Sequence, residues 1–206
     1  MAKSQRAGKR PEEEVKARPG RAADRIRSSA RDLFYHQGIR AVGVDAVVAE
    51  AGVTKPSLYR AFASKDELAA AYLCDFEAEF WHRFEAAVKA HPGDPRAQIL
   101  AYFKGLARRT GLPGYRGCGL TNACVEYPEP DHPARQVAVA NKRKVRERLV
   151  GMAREMGAPD PEALGDGLQL LLEGAYASSQ ILGARGPVCH LAAVAARLID
   201  ASLSAG

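Results

Sequence analysis

From residue 22 onward the apolar positions recur at intervals of three and four, the spacing of one face of an α-helix. In residues 22–37, Ile26, Ala30, Leu33 and Phe34 fall on one side, and Gly38 ends the run. Gly43 can cap the next helix, where Val44, Val47, Val48 and Ala51 make one stripe at i, i+3, i+4, i+7. Gly52, free to take a positive φ, breaks that helix. Thr54 is an N-cap for a third short helix, Pro56 sits in its first turn, where a missing N–H costs nothing, and Leu58 and Phe62 form its i, i+4 core pair.

Longer helices follow. Ser64-Lys65-Asp66-Glu67 is a capping box and predicts a helix over about 65–90, broken at His91-Pro92-Gly93-Asp94-Pro95. Asp94 then caps a helix to about Thr110, residues 111–117 form a loop, and a short helix covers about 118–127. A charged helix spans about 133–156, an apolar one about 160–183, and a last one about 188–203. No segment alternates apolar and polar residues over a strand's length between turns. The pattern predicts an all-α protein of about nine helices.

The chain has 206 residues, 47% of them hydrophobic, enough to bury a core. No run reaches the ~18 apolar residues of an ordinary transmembrane helix. The first residues carry charges but no apolar stretch behind them, so neither a secretory signal nor a membrane association is expected, and a cytoplasmic setting is. Cys74, Cys118, Cys124 and Cys189 are dispersed and read either as packing residues or as a thiol sensor or ligand contact. No His/Asp/Glu set has metal spacing, and neither a metal nor a cofactor is expected.

Charge locates the first candidate function. The net charge is +6, and residues 1–31 alone hold ten Lys/Arg against four acids. A positive excess at one end predicts contact with a polyanion there. Residues 1–20 lack apolar periodicity and read as a basic arm; Arg18-Pro19-Gly20-Arg21 can either place arginines in a minor groove or serve only as a solubilising tail.

Next to the arm, residues 43–63 hold two short helices around a glycine turn, the helix-turn-helix plan. The second helix then offers its N-terminal and outer side chains to a DNA major groove. These are Thr54, Lys55, Ser57, Tyr59 and Arg60, all hydrogen-bond donors. Lys55 and Arg60 can pair with guanine or phosphate. Tyr59 and Lys65 suit phosphate, because the start of the following helix also offers unbonded N–H groups.

Val53-Thr54-Lys55-Pro56-Ser57-Leu58-Tyr59-Arg60-Ala61-Phe62, followed by Ser64-Lys65-Asp66-Glu67-Leu68, resembles the DNA-binding domain of TetR/AcrR-type bacterial transcriptional regulators. The resemblance runs from about Arg25 to Tyr72. It implies DNA contacts at Lys55, Ser57, Tyr59, Arg60 and Lys65. There are two departures: Gly43 stands where a Ser or Thr usually opens the second helix, and Arg60 where His or another aromatic is common. The family's base preferences therefore do not transfer.

The implied organisation is a basic arm over 1–20, a DNA-binding domain over 21–72, and a ligand-binding and dimerisation domain over 73–206. In the last, the stripe Phe76, Phe80, Trp81, Phe84 and the pair Tyr102, Phe103 read either as helical core or as the lining of a cavity. The resemblance favours a cavity for an unidentified small-molecule effector, with Phe80, Phe84, Tyr102, Phe103, Asn122 and Tyr176 as candidate contacts. Asn122, an amide on an otherwise small and apolar helix, needs a partner, structural or ligand. The basic cluster 141–148 reads as a solvated face. The last two helices carry small and apolar faces, among them Leu164, Leu168, Leu172 on one and Leu191, Val194, Ile199 on the other, and the resemblance implies a homodimer through them. No nucleophile, base and orienting group assemble, so an enzyme is not expected. The expected function is a dimeric, ligand-released repressor of a palindromic operator in double-stranded DNA.

Overall fold

The computed structural model describes residues 19–204. They form α1 (Pro19–Gln37), α2 (Val44–Ala51), α3 (Lys55–Ala61), α4 (Lys65–Ala90), α5 (Pro95–Arg109), α6 (Gly119–Glu126), α7 (Pro133–Glu155), α8 (Pro161–Leu182), a 3-10 turn (Pro187–His190) and α9 (Leu191–Ser204), with no strand among the described residues. Side-chain oxygens cap four of the described helices. The side-chain oxygens of Thr54, Ser64, Asp94 and Asp160 accept the N–H groups of Ser57, Glu67, Ala97 and Ala163. The box at α4 is closed from the other side by Glu67, whose carboxylate accepts the N–H of Ala63 at 2.7 Å. Gly52, at φ +59°, ends α2 in the left-handed region.

Two ends differ from expectation. α1 begins at Pro19, three residues early, since proline is pre-set for the first helical position. Pro19 and Gly20 thus belong to the helix, and the rest of the expected arm, residues 1–18, lies outside the described residues. At the other end Pro187 nucleates a separate 3-10 turn before α9.

One connected set of buried side chains runs from Ile26 to Ile199. α4 serves both parts of it. Its first half (Leu68, Ala69, Tyr72, Leu73) is buried where it packs on α1; its second half (Phe80, Phe84) is buried beside α5. At ~1.5 Å per residue, its 26 residues make an unbroken rod of ~39 Å. Arg27 and Arg31 of α1 pair with Asp75 and Glu79 of α4, so two matched four-residue spacings of opposite charge lock the helices in register.

α7 and α8 form the most extensive helix pair. Gly165 permits their approach: a Cβ there would stand 2.9 Å from the backbone N and Cα of Val150. The basic cluster 141–148 is solvated only in part: Asn141 and Val145 are buried and Lys142 is held on Glu173, while Lys144 and Arg146 reach out to Glu77 and to Glu162 and Asp166.

The faces expected for dimerisation are largely spent within the protomer. Leu164, Leu168, Leu172, Leu191 and Ile199 are buried in the chain's own core. The opposite side of α8 is also small and apolar. Leu170 (73% exposed), Gly174, Ala177 and Ile181 (78%) follow one another at i, i+4, i+7, i+11, all exposed, and Leu182 and Val194 are exposed as well. None of the described helices is long and apolar enough to cross a membrane.

Candidate nucleic-acid interface and cavity

The turn between α2 and α3 is held by the N–H of Gly52 on the Ala49 carbonyl and that of Val53 on the Val48 carbonyl. Val47, Ala51 and Leu58 fill the crossing, which leaves one side of α3 in solvent. On that side the six expected DNA contacts divide into distinct states. The Thr54 and Ser57 hydroxyls lie 2.9 Å apart and share one hydrogen bond, so one hydroxyl proton of the pair is left for an outside acceptor. The Lys55 ammonium sits 2.7 Å from the Asp45 carboxylate in the first turn of α2. That contact pushes the lysine up from its ordinary value. Tyr59 is 49% exposed, and Arg60 is exposed with no ion pair among the described residues. Lys65 is turned back, donating to the Arg40 carbonyl at 3.3 Å. Partial burial pushes its ammonium down, against the pull of Asp66 and Glu126. Gly43 caps α2 without a side chain, at φ −80°.

The helix-turn-helix is fastened to the rest through α6. The Glu126 carboxylate accepts the Arg40 N–H at 2.8 Å, the Arg40 guanidinium donates to the Glu126 carbonyl at 3.0 Å, and the same guanidinium lies 5.8 Å from the centre of the Tyr127 ring. Tyr127 stacks on His132, whose Nε2 is 3.4 Å from the Asp66 carboxylate. At its other end α6 touches the aromatic residues of α4: a methyl group on Gly119 would come within 2.6 Å of the Tyr72 hydroxyl.

Above this contact lies a cavity of about 310 Å³. Its aromatic walls include Tyr72, Phe76 and Phe80 of α4, Tyr102 of α5, Tyr115 of the α5–α6 loop and Tyr176 of α8. Arg31, Asp32, Tyr35 and His36 of α1 line it as well, and Glu79, Arg83 and Arg109 complete its polar groups. Tyr35 is fixed by two backbone bonds, donating to the Gly117 carbonyl and accepting from the Arg116 N–H. Burial pushes the Tyr72, Tyr102, Tyr115 and Tyr176 hydroxyls up, so all four stay protonated at neutral pH.

Of the six expected effector contacts, Phe80, Tyr102 and Tyr176 line this cavity and Phe84, Phe103 and Asn122 do not. Phe84 is buried against the far side of Phe80 and Trp81, Phe103 is wholly buried core, and the Asn122 amide donates to the Arg116 carbonyl as a loop tie. The wall from α1 was missed. Its signal was present in Arg27, Arg31, Tyr35, a second i, i+4 row beside the core face, answered on α4 by Asp75, Glu79, Arg83. No cluster of three or more His, Cys, Asp or Glu that could hold a metal ion stands among the described residues.

The family model for bacterial regulatory proteins of the tetR family matches residues 26–72, which span α1 to the first turns of α4. A TetR-family transcriptional regulator from Streptomyces coelicolor superposes with a TM-score of 0.79 at 30% identity, covering 90% of this chain and 96% of that one. A second similar structure, from Streptomyces avermitilis, is 32% identical with a TM-score of 0.74 over 88% and 97% of the two chains. A TetR transcriptional regulator from Chloroflexus aurantiacus shares the fold at 24% identity and a TM-score of 0.76, over 88% and 96%. The motif around α3, the helix order and the near-complete match to a 30% identical regulator agree: the chain belongs to the TetR family and is a DNA-binding transcriptional regulator, not an enzyme.

Proposed function

We propose that this regulator is a repressor that binds a palindromic operator as a homodimer and is released by a small molecule in the cavity. A DNA-binding unit over 21–72, helped by the basic arm, reads DNA through Thr54, Lys55, Ser57, Tyr59, Arg60 and Lys65. Residues 73–206 bind the effector, with Phe80, Tyr102 and Tyr176 among its contacts, and pair with a second copy. The exposed Leu170, Gly174, Ala177, Ile181 row supports dimerisation through α8, because a monomer gains nothing from leaving it in water. A two-fold axis there sets two α3 helices about one DNA turn apart, roughly 34–36 Å.

The observation that carries the release mechanism is that the cavity is walled jointly by α1 and by α4, α5 and α8. A ligand that fits one relative placement of α1 and α4 better than another shifts that equilibrium, and the Arg40–Glu126 contact passes the shift to α2 and α3. Ligand and operator then weaken one another equally.

Selection of bound duplexes from a random pool, followed by anisotropy titrations, tests the first half. An inverted repeat bound in a salt-sensitive manner is expected; binding without sequence preference overturns it. For the dimer, Leu170→Glu combined with Ile181→Glu is expected to give a folded monomer by light scattering. An unchanged dimer removes α8 from the interface. A compound that enters the cavity yet leaves operator affinity unchanged overturns the release step.

A further inference from the structure

The polar groups of the cavity are unevenly matched. Three guanidinium groups (Arg31, Arg83, Arg109) face two carboxylates, Asp32 and Glu79, and Asp32 is exposed. Glu79 is shared: it pairs with Arg31 and also accepts from Arg83 at 3.2 Å. Arg109 has no carboxylate partner among the described residues and rests 5.5 Å from the centre of the Tyr102 ring.

Two residues of the lining each hold a buried polar atom without a hydrogen-bond partner, Arg83 at Nε and Tyr115 at its hydroxyl. Such groups cost free energy until something satisfies them. An arginine Nε can only donate, and the Tyr115 hydroxyl, kept protonated by burial, can donate too. What the cavity lacks is an acceptor, preferably one that brings negative charge to Arg109. A carboxylate is acceptor-only, planar and suited to guanidinium groups; an ammonium offers only more donors. The volume, about 310 Å³, is at the small end of the ~300–1,000 Å³ of ligand sites, and the surrounding rings favour a flat apolar body.

Accepting the cavity as the effector site, we propose that it takes a small aromatic carboxylic acid of one or two rings. The acid accepts hydrogen bonds from Arg83 Nε and the Tyr115 hydroxyl, draws on the charge of Arg109, and its ring packs among Phe76, Phe80, Tyr102 and Tyr176.

The test uses the full-length protein and three probes of one shape: 2-naphthoate, 2-naphthalenemethanol and 2-(aminomethyl)naphthalene. Binding is measured by calorimetry and, in parallel, as release of the selected duplex. The naphthoate is expected to bind about tenfold or more tighter than the alcohol, with the amine weakest. Arg109→Gln should weaken the naphthoate about tenfold while the alcohol changes by less than about twofold. Tyr115→Phe, which keeps the ring, should weaken the naphthoate about three- to fivefold, and it serves as the test if Arg109→Gln fails to fold. An alcohol or amine that binds as tightly as the acid overturns the proposal, as does an Arg109→Gln loss equal for all three probes. If such a probe also releases DNA, the cavity remains the effector site and only the ligand class falls. If the naphthoate is preferred but the duplex stays bound, the class stands and release falls. If no probe binds, the ligand class falls and release through the cavity is unaffected.

Discussion

The Lys55–Asp45 pair allows a charge argument to be tested on DNA of any sequence. Asp45 projects from the first turn of α2 with its side chain 81% exposed, beside the first residue of α3. If α3 enters the major groove, a phosphate-lined surface approaches this pair. Asp45 then either keeps Lys55 from a phosphate or is left facing one. Asp45→Asn raises the charge of the interface by one unit in both cases. Each phosphate neutralised adds about 0.9 to the slope of log affinity against log salt, so raising salt from ~50 to ~200 mM should cost the variant about 3.5-fold more affinity than the wild type. Anisotropy on a labelled duplex of arbitrary sequence at four or five salt concentrations measures both slopes. The variant is expected to bind more tightly at ~50 mM, with the advantage shrinking by that factor. Lys55→Gln should lower the slope by about 0.9, and the double variant should return to the wild-type slope. Equal slopes and equal affinities for wild type and Asp45→Asn would refute the placement of α3 against DNA.

Three further outcomes are expected. Gly43→Ser introduces a side chain where a Cβ meets nothing within 4 Å, and should tighten duplex binding a few-fold in the same assay by adding a hydroxyl at the start of α2. Gly165→Ala must push α7 from α8 and costs ~1–3 kcal/mol, whereas Gly151→Ala on α7, with open space around it, gains ~0.5–1 kcal/mol from helix propensity; in thermal unfolding the alanine at 165 should melt lowest and that at 151 highest, and a reversed order would show that α7 and α8 are not so close. The hydrogen bond from Arg31 holds Glu79 below its ordinary value near 4.5, so its stabilising effect is full above that pH and is lost as pH falls through the depressed value; the stability gap between wild type and Glu79→Gln, by denaturant titration, should close on acidification.

Helix starts were readable because their causes are local. Thr54, Ser64, Asp94 and Asp160 each act within three residues of themselves, and the crossing pair Val47 and Leu58 sits in a periodic stripe. The cavity was only half readable. Periodicity says which side of α4 and α5 turns inward; it does not say what stands opposite. Phe80 borders the cavity and Phe103 faces packed side chains, yet both follow the same stripe rule. Arg31 and Tyr35 line the cavity because α1 packs beside α4 across 48 residues of sequence, a relation only the paired charges of the two helices betray. α8 misled because both its sides are apolar: Leu164, Leu168 and Leu172 look like an interface in sequence and are core, while Leu170 and Ile181 remain outside.

The share of the cavity wall that comes from α1 bears on modularity. A chimera joined after Tyr72 would carry Arg31, Asp32, Tyr35 and His36 into its new host, and Tyr72 with them. The transplanted reading head would bring part of the cavity wall and leave its former partner with a gap. Under the proposed function, operator choice and effector choice would then not be separable cassettes in this chain; exchanging one would require rebuilding the α1 surface that the other depends on.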